Sequence, residues 1–170
     1  MGGSAGTAAF EIARVHPKLR CVVQDFASLQ KQFTEITPLD LVGRVTFQGH
    51  DFFTEQPVKG AAVYFLRQVL HDWPDKYAQR IIRNLVPAMQ QGNRLVIMDR
   101  VVPPRGVLPP ALERLNTMMD LEMMLLHNSR ERSIDDWQAL VTGADSRFYL
   151  KGFGPPEAVG GVQVIEFVLG

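Results

Sequence analysis

Hydrophobic positions change period several times along this chain, and each change marks the boundary of an element. Ala9, Ile12, Ala13 and His16 fall on one helical face, and Pro17 stops that helix. "LRCVVQD" then has the short apolar composition of a strand, followed by a polar stretch with a turn of helix at Ser28 to Phe33. "GRVTFQGHDFF" is a second β-rich segment, apolar enough for a buried strand and closed by Gly49 and Asp51. "GAAVYFLRQVLHDW" is nearly continuously apolar, as expected of a strand covered on both faces, and it gives way to a loop at about Leu70. After Pro74, "DKYAQRIIRNLVPAMQ" puts Tyr77, Ile81, Leu85 and Met89 on one face of a helix that Gly92 ends. "RLVIMDRVV" reads as a further central strand, and the prolines of "VPPRGVLPP" make a loop leading into a helix from Ala111 to Leu126. Ser133 and Asp136 form a capping box at the start of a helix reaching Val141. "RFYLKGFG" and "VQVIEFVLG" are two β segments with only a Gly/Pro turn between them, which predicts an antiparallel pair.

Strands that alternate with helices and finish in an antiparallel pair predict an α/β fold. The expected form is a Rossmann-like, doubly wound, mostly parallel sheet, with residues 1–170 making one domain. Ligands of such sheets bind beyond the carboxyl ends of the strands, so the polar residues there are where chemistry is expected.

Charge narrows the partners. Eighteen Lys and Arg balance eighteen Asp and Glu with no basic block, which gives neither nucleic acid nor an anionic membrane anything to select. No window approaches the roughly 18 apolar residues of a membrane span, and no basic segment followed by an apolar stretch opens the chain. A cytoplasmic protein with a small neutral or weakly charged partner is expected. Cys21, the single cysteine, excludes an internal disulfide and reads as a core residue in a reducing compartment.

The opening "GGSAG" places Gly2, Gly3 and Gly6 where backbone can approach a ligand at the start of the following helix. A plain tight turn has the same composition. Asp25 ends the next strand about twenty residues on, the separation at which a carboxylate takes both ribose hydroxyls of an adenosine cofactor. NAD and S-adenosylmethionine share that chemistry. Asp51 followed by Phe52 offers an acceptor and an apolar face beside an adenine ring, and a surface turn is the alternative.

"LRQVLHDWPD" discriminates between the cofactors, because here the sequence resembles the catalytic domain of the plant and fungal caffeate-type O-methyltransferases. Their His-Asp-Trp signature stands as His71, Asp72 and Trp73, and "GGSAG", "VVQDF", "GHDFF", "MDRVV", "DLEMM" and "RERS" follow the family's order and spacing. The resemblance covers essentially the whole chain and points to a fungal secondary-metabolism member. It implies S-adenosylmethionine as cofactor and S-adenosylhomocysteine as product. The cofactor contacts it implies are Gly2, Gly3, Ser4, Gly6, Asp25, Phe26, Asp51, Phe52 and Arg67. Ser4 replaces the family's middle glycine, and Arg67 stands where the family usually has lysine.

The same resemblance implies His71 as general base for transfer of a methyl group to a phenol or enol hydroxyl, flanked and oriented by Asp99 and Glu131. The family more often has glutamate at the place of Asp99. Met123 matches the position that clamps an aromatic acceptor, and Trp73, Met119 and His127 are further candidates for the acceptor side; methionine also fills cores. His16 and His50 read as structural. No metal is expected, since the histidine signature replaces the acid cluster of magnesium-dependent catechol-type enzymes. The family places a strand and a helical dimerisation domain ahead of the glycine loop, whereas only Met1 precedes Gly2 here, so the resemblance implies a chain lacking both. A module that binds the cofactor without methylating, and a nicotinamide oxidoreductase that leaves "HDWPD" unexplained, are the competing readings.

Overall fold

The computed structural model describes residues 1–154 and 160–170, in two compact units, 1–54 and 55–170. The first unit holds helix α1 (Thr7–Val15), strand β1 (Cys21–Asp25), helix α2 (Gln30–Ile36) and strand β2 (Val45–Gly49). β1 and β2 run parallel, Cys21 opposite Val45 and Asp25 opposite Gly49, and α2 is part of the crossover that parallel neighbours require. Phe33 of α2 sits at the centre of an aromatic cluster, its ring 5.6 Å from Phe10 on α1 and 5.3 Å from Phe47 on β2. Ala13, Val23, Leu41 and Val45 complete that core. Arg44 donates to the carbonyls of Ala13 and His16, at 2.6 and 3.1 Å, where α1 ends with unsatisfied acceptors.

The second unit contains β3 (Val63–Arg67), α3 (Asp75–Leu85), β4 (Arg94–Arg100), α4 (Pro110–His127), α5 (Ile134–Ala144), β5 (Phe148–Gly154) and β6 (Val162–Leu169). Its sheet has the order β3-β4-β6-β5, with β3 parallel to β4 and the β4·β6 and β6·β5 pairs antiparallel. The doubly wound α/β character and the C-terminal antiparallel pair follow the sequence reading, although the strands fall into two hydrogen-bonded sheets instead of one. The Gly/Pro turn expected between β5 and β6 falls at residues 155–159, outside the described residues. Among those described, no helix is long and apolar enough to cross a membrane.

Several boundaries differ from the sequence pattern for local reasons. β2 stops at Gly49, so Asp51 lies in the turn beyond the strand instead of closing it. β3 stops at Arg67 because Gln68 takes a left-handed backbone, φ 49°, and the apolar run continues as a 3-10 turn at Leu70–Asp72. Val63 is 47% exposed, so β3 is not covered on both faces along its whole length. α3 ends at Leu85, since Pro87 cannot continue it, and a 3-10 turn, Val86–Ala88, follows. The buried stripe of α3 is Ala78, Ile81, Ile82 and Leu85, leaving Tyr77 exposed, and Met89 is buried beyond the helix end. Pro110 begins α4 at the first helical turn, where a missing N–H costs nothing.

α5 opens with the expected capping box: Asp136 N–H donates to Ser133 Oγ at 3.2 Å, and Ser133 N–H donates to Asp136 Oδ2 at 3.0 Å. This helix carries the buried Trp137, Leu140 and Val141. Ser133→Ala is therefore expected to lower the unfolding free energy by about 1 kcal/mol, measured as a lower urea midpoint at unchanged slope. An unchanged midpoint would show that the cap contributes nothing.

Candidate functional site

In the first unit the glycine loop folds back onto the end of β1. Gly3 N–H donates to the Gln24 carbonyl at 3.1 Å, and a Cβ on Gly3 would lie 2.8 Å from Val23 Cγ1, so any side chain there would force Val23 to shift. Gly6 has φ 94° and caps the start of α1 while facing the Phe33 ring. Ser4 adopts a left-handed φ of 48°, a conformation held by its N–H donating to Asp25 Oδ2 at 2.8 Å. The other oxygen, Asp25 Oδ1, accepts from Phe26 N–H at 2.7 Å, and the Asp25 carbonyl accepts from His50 N–H at 2.9 Å. One aspartate thus ties the glycine loop, the end of β1 and the segment before Asp51 together. Asp51 Oδ1 accepts from Phe53 N–H at 2.9 Å, and Phe52 lies edge-on to Phe53. Phe26 is two-thirds exposed, at 67%. His50 is half-buried, and burial pulls its imidazole below the usual histidine value despite the Asp51 charge.

In the second unit three segments bring His71, Asp99 and Glu131 together. The alternation of β4 places Leu95, Ile97 and Asp99 on one face, all at 0% exposure, so the carboxyl of Asp99 is buried by the same period that buries its apolar neighbours. His71 sits in the 3-10 turn after β3, and Glu131 lies before α5, its N–H held by Asp120 Oδ1 at 2.8 Å. His71 Nδ1 is 3.5 Å from Glu131 Oε1 and 3.9 Å from Asp99 Oδ1, and its Nε2 is 3.3 Å from Asp72 Oδ1. Arg100 Nε approaches Glu131 Oε1 at 3.6 Å.

Burial alone would lower the His71 pKa, but the hydrogen bond to Glu131 and the charges of Asp99, Asp72 and Glu131 outweigh it and hold the imidazole above its ordinary value. Burial pushes Asp99 up to about 7; the Glu131 and Asp72 charges add to that, and His71 and Arg132 oppose it. Neither oxygen of Asp99 has a hydrogen-bond partner among the described residues. Near neutral pH Asp99 is consequently a carboxyl group on the edge of ionisation.

The acceptor-side candidates have different surroundings. His127 Nε2 is 3.7 Å from Asp72 Oδ1, and Trp73 packs obliquely against Tyr77 at 6.2 Å. Met123 is buried on α4 and Met119 is half-buried one turn earlier. Arg67 is exposed at the end of β3. Sequence reasoning passed over Arg132, Trp137, Arg100 and Asp120. Arg132 stands inside "RERS", but arginine is so rarely buried in full that nothing in the string singles it out. Among the described residues no group of three or more His, Cys, Asp or Glu side chains is placed to hold a metal ion.

The α/β fold thus carries a glycine loop against the acidic end of β1 in one unit, and a histidine set among carboxylates after β3 in the other. The O-methyltransferase domain family matches residues 1–147, and the chain belongs to that family. It is 44% identical to O-methyltransferase pgmB of Aspergillus terreus over 92% of this chain and 45% of that protein. It is 41% identical to O-methyltransferase VdtC of Byssochlamys spectabilis over 100% of this chain and 40% of that one. The structure of LepI in complex with SAM superposes with a TM-score of 0.88 at 30% identity, over 100% of this chain and 42% of LepI. At the same TM-score and identity it superposes on a protein described as a pericyclic reaction enzyme. The chain spans less than half the length of these relatives.

Because the folded-state pKa of Asp99 lies above its unfolded value of 3.8, the folded chain binds more protons than the unfolded chain between about 4 and 7. The contribution of Asp99 to stability is therefore lost as pH rises through that window, and the raised pKa of His71 adds a loss in the same direction above 6.5. Asp99→Asn should flatten the fall between about pH 4 and 7 in urea titrations. A variant with the slope of the parent would show that Asp99 ionises normally.

Proposed function

We propose that this chain forms the catalytic part of an S-adenosylmethionine-dependent O-methyltransferase acting on a phenol or enol hydroxyl of a small secondary metabolite. The observation that carries this reading is His71 with Glu131 and Asp99 on its Nδ1 side, in a chain of the O-methyltransferase domain family. LepI, solved once with SAM and once with SAH and a substrate analogue, supports the choice of cofactor.

The glycine loop fits that cofactor. Gly3 and Gly6 keep side chains out of the loop, and each Asp25 oxygen accepts one amide hydrogen bond, leaving lone pairs for two ribose hydroxyls. Gly2, Gly3, Ser4, Gly6, Asp25 and Phe26 would hold the amino-acid and ribose parts, and Asp51 with Phe52 the adenine. When bound, the cofactor supplies an electrophilic methyl group.

Glu131 accepts from the Nδ1 side of His71, which leaves Nε2 on the opposite ring edge to take the proton of the acceptor hydroxyl. Asp72 beside Nε2 and Glu131 beside Nδ1 then stabilise the imidazolium. A base with a raised pKa works only once deprotonated, so methyl transfer should increase with pH through the His71 titration. Met123, Met119, Trp73 and His127 supply the acceptor side.

A second reading, a cofactor-binding chain that carries out no methyl transfer, draws on the likeness to a pericyclic reaction enzyme. His71→Gln, assayed in the whole protein with a panel of phenols, is expected to lower methyl transfer by roughly 100-fold or more with calorimetric affinity for S-adenosylhomocysteine unchanged. Full activity in that variant would remove the general base. Asp25→Ala should weaken S-adenosylhomocysteine binding by about 1 to 3 kcal/mol; unchanged affinity, or tighter binding of NAD, would reject the ribose assignment.

A further inference from the structure

The contacts that place His71 beside the carboxylates of other segments are long. At 3.5 Å from Glu131 the hydrogen bond is weak, and at 3.9 Å from Asp99 there is none. Such contacts do not by themselves hold an imidazole that the 3-10 turn could carry away, so the geometry must be fixed by something stronger.

Arg132, next in the chain to Glu131, is fully buried, and a buried guanidinium is tolerated only when its donors are satisfied. Its Nη1 donates to the Leu70 carbonyl at 2.9 Å and its Nη2 to the Trp73 carbonyl at 2.8 Å. Nη2 and Nε both donate to Asp75 Oδ1, at 2.8 and 3.0 Å. These acceptors bracket His71 on both sides. Burial would raise the Asp75 carboxyl, but hydrogen bonds and charge from Arg132 and Arg130 hold it below the usual range, so the pair is ionic.

The third member of the cluster is tied to the same hub. The Arg132 guanidinium lies 5.0 Å from the centre of the Trp137 ring, and Trp137 Nε1 donates to the carbonyl of Arg100, the residue after Asp99, at 3.0 Å. Val102 N–H donates to the Arg132 carbonyl at 2.9 Å, just beyond the end of β4. The chain neighbours of His71 and Asp99 are thus bound to Arg132 or to the indole stacked beside it, and Arg132 is itself the chain neighbour of Glu131.

We propose that Arg132, supported by Trp137, is the positioning residue that sets His71 against Glu131 and Asp99. The proposal deepens the general-base reading of His71. Lysine at 132 keeps the charge but offers one compact ammonium in place of a planar fork, so it cannot span Leu70, Trp73 and Asp75 together. Trp137→Phe keeps a ring beside the guanidinium and deletes the bond to Arg100, at the cost of some buried ring volume. The charges around the imidazole are those of Glu131, Asp99 and Asp72, with Arg100 and Arg132 behind them, and its titration reports how closely they are held.

The test follows the Cε1–H resonances of the four histidines by NMR across pH in the whole chain, His71 being assigned by its loss in His71→Gln. Arg132→Lys should move the His71 midpoint down toward that of an ordinary histidine while leaving His16 in place. Trp137→Phe should move it the same way by less. A variant that melts earlier but titrates at the parental His71 midpoint while folded would overturn the proposal, because Arg132 would then be only structural. If Arg132→Lys does not fold, an unmoved midpoint in Trp137→Phe overturns the proposal equally. A moved midpoint together with full methyl transfer in His71→Gln would keep the positioning role and reject the base.

Discussion

A guanidinium withdrawn from water must find a partner for each donor it brings, and in the unit formed by residues 55–170 that requirement falls on Arg132. Four of its five N–H groups donate to Leu70, Trp73 and Asp75, which come from the turn after β3 and the first residue of α3. Trp137 on α5 lies beside the same charge and reaches across to the carbonyl of Arg100 at the end of β4. The end of one strand, the irregular turn after another and the starts of two helices are therefore referred to one buried charge.

The acid–base cluster uses the order this provides. Asp99 is buried because it continues the core-facing alternation of Leu95 and Ile97, and an aspartate there is expensive to ionise. Glu131 has Arg100 within 3.6 Å and a backbone N–H fixed by Asp120, so the two carboxyls meet different electrostatic surroundings only a few ångströms from one imidazole.

The unit formed by residues 1–54 relies on a different device. There the Asp25 carboxylate gathers two backbone amides, one from the glycine loop and one from the residue after the strand. An aromatic cluster centred on Phe33 packs α1, α2 and β2 behind this loop, and Gly6 lies against that ring. Loop conformation and core packing are linked through one side chain.

The order and type of the elements were legible in the sequence because they follow from local periodicity: the α5 capping box, the apolar strand cores, the glycine loop and an acid ending β1 are all short-range patterns. The His-Asp-Trp string marked the neighbourhood of His71 for the same reason. Element ends were less legible where one residue departs from its neighbours, as Gln68 does with its left-handed backbone and Pro87 with its missing N–H. The face of α3 differed because Ala78 and Ile82 are buried in place of Tyr77, a choice made by what the helix packs against. The approach of His71 to Asp99 and Glu131 joins residues far apart in the chain, 60 positions in the case of Glu131, and no local pattern encodes such distances. Sequence determined which residue types stand at the strand ends and in the turns where these groups meet. Only the tertiary structure decided that Arg132 is buried and that Asp99 is poised near neutrality, because burial and the charges nearby are properties of the folded chain and not of the residue.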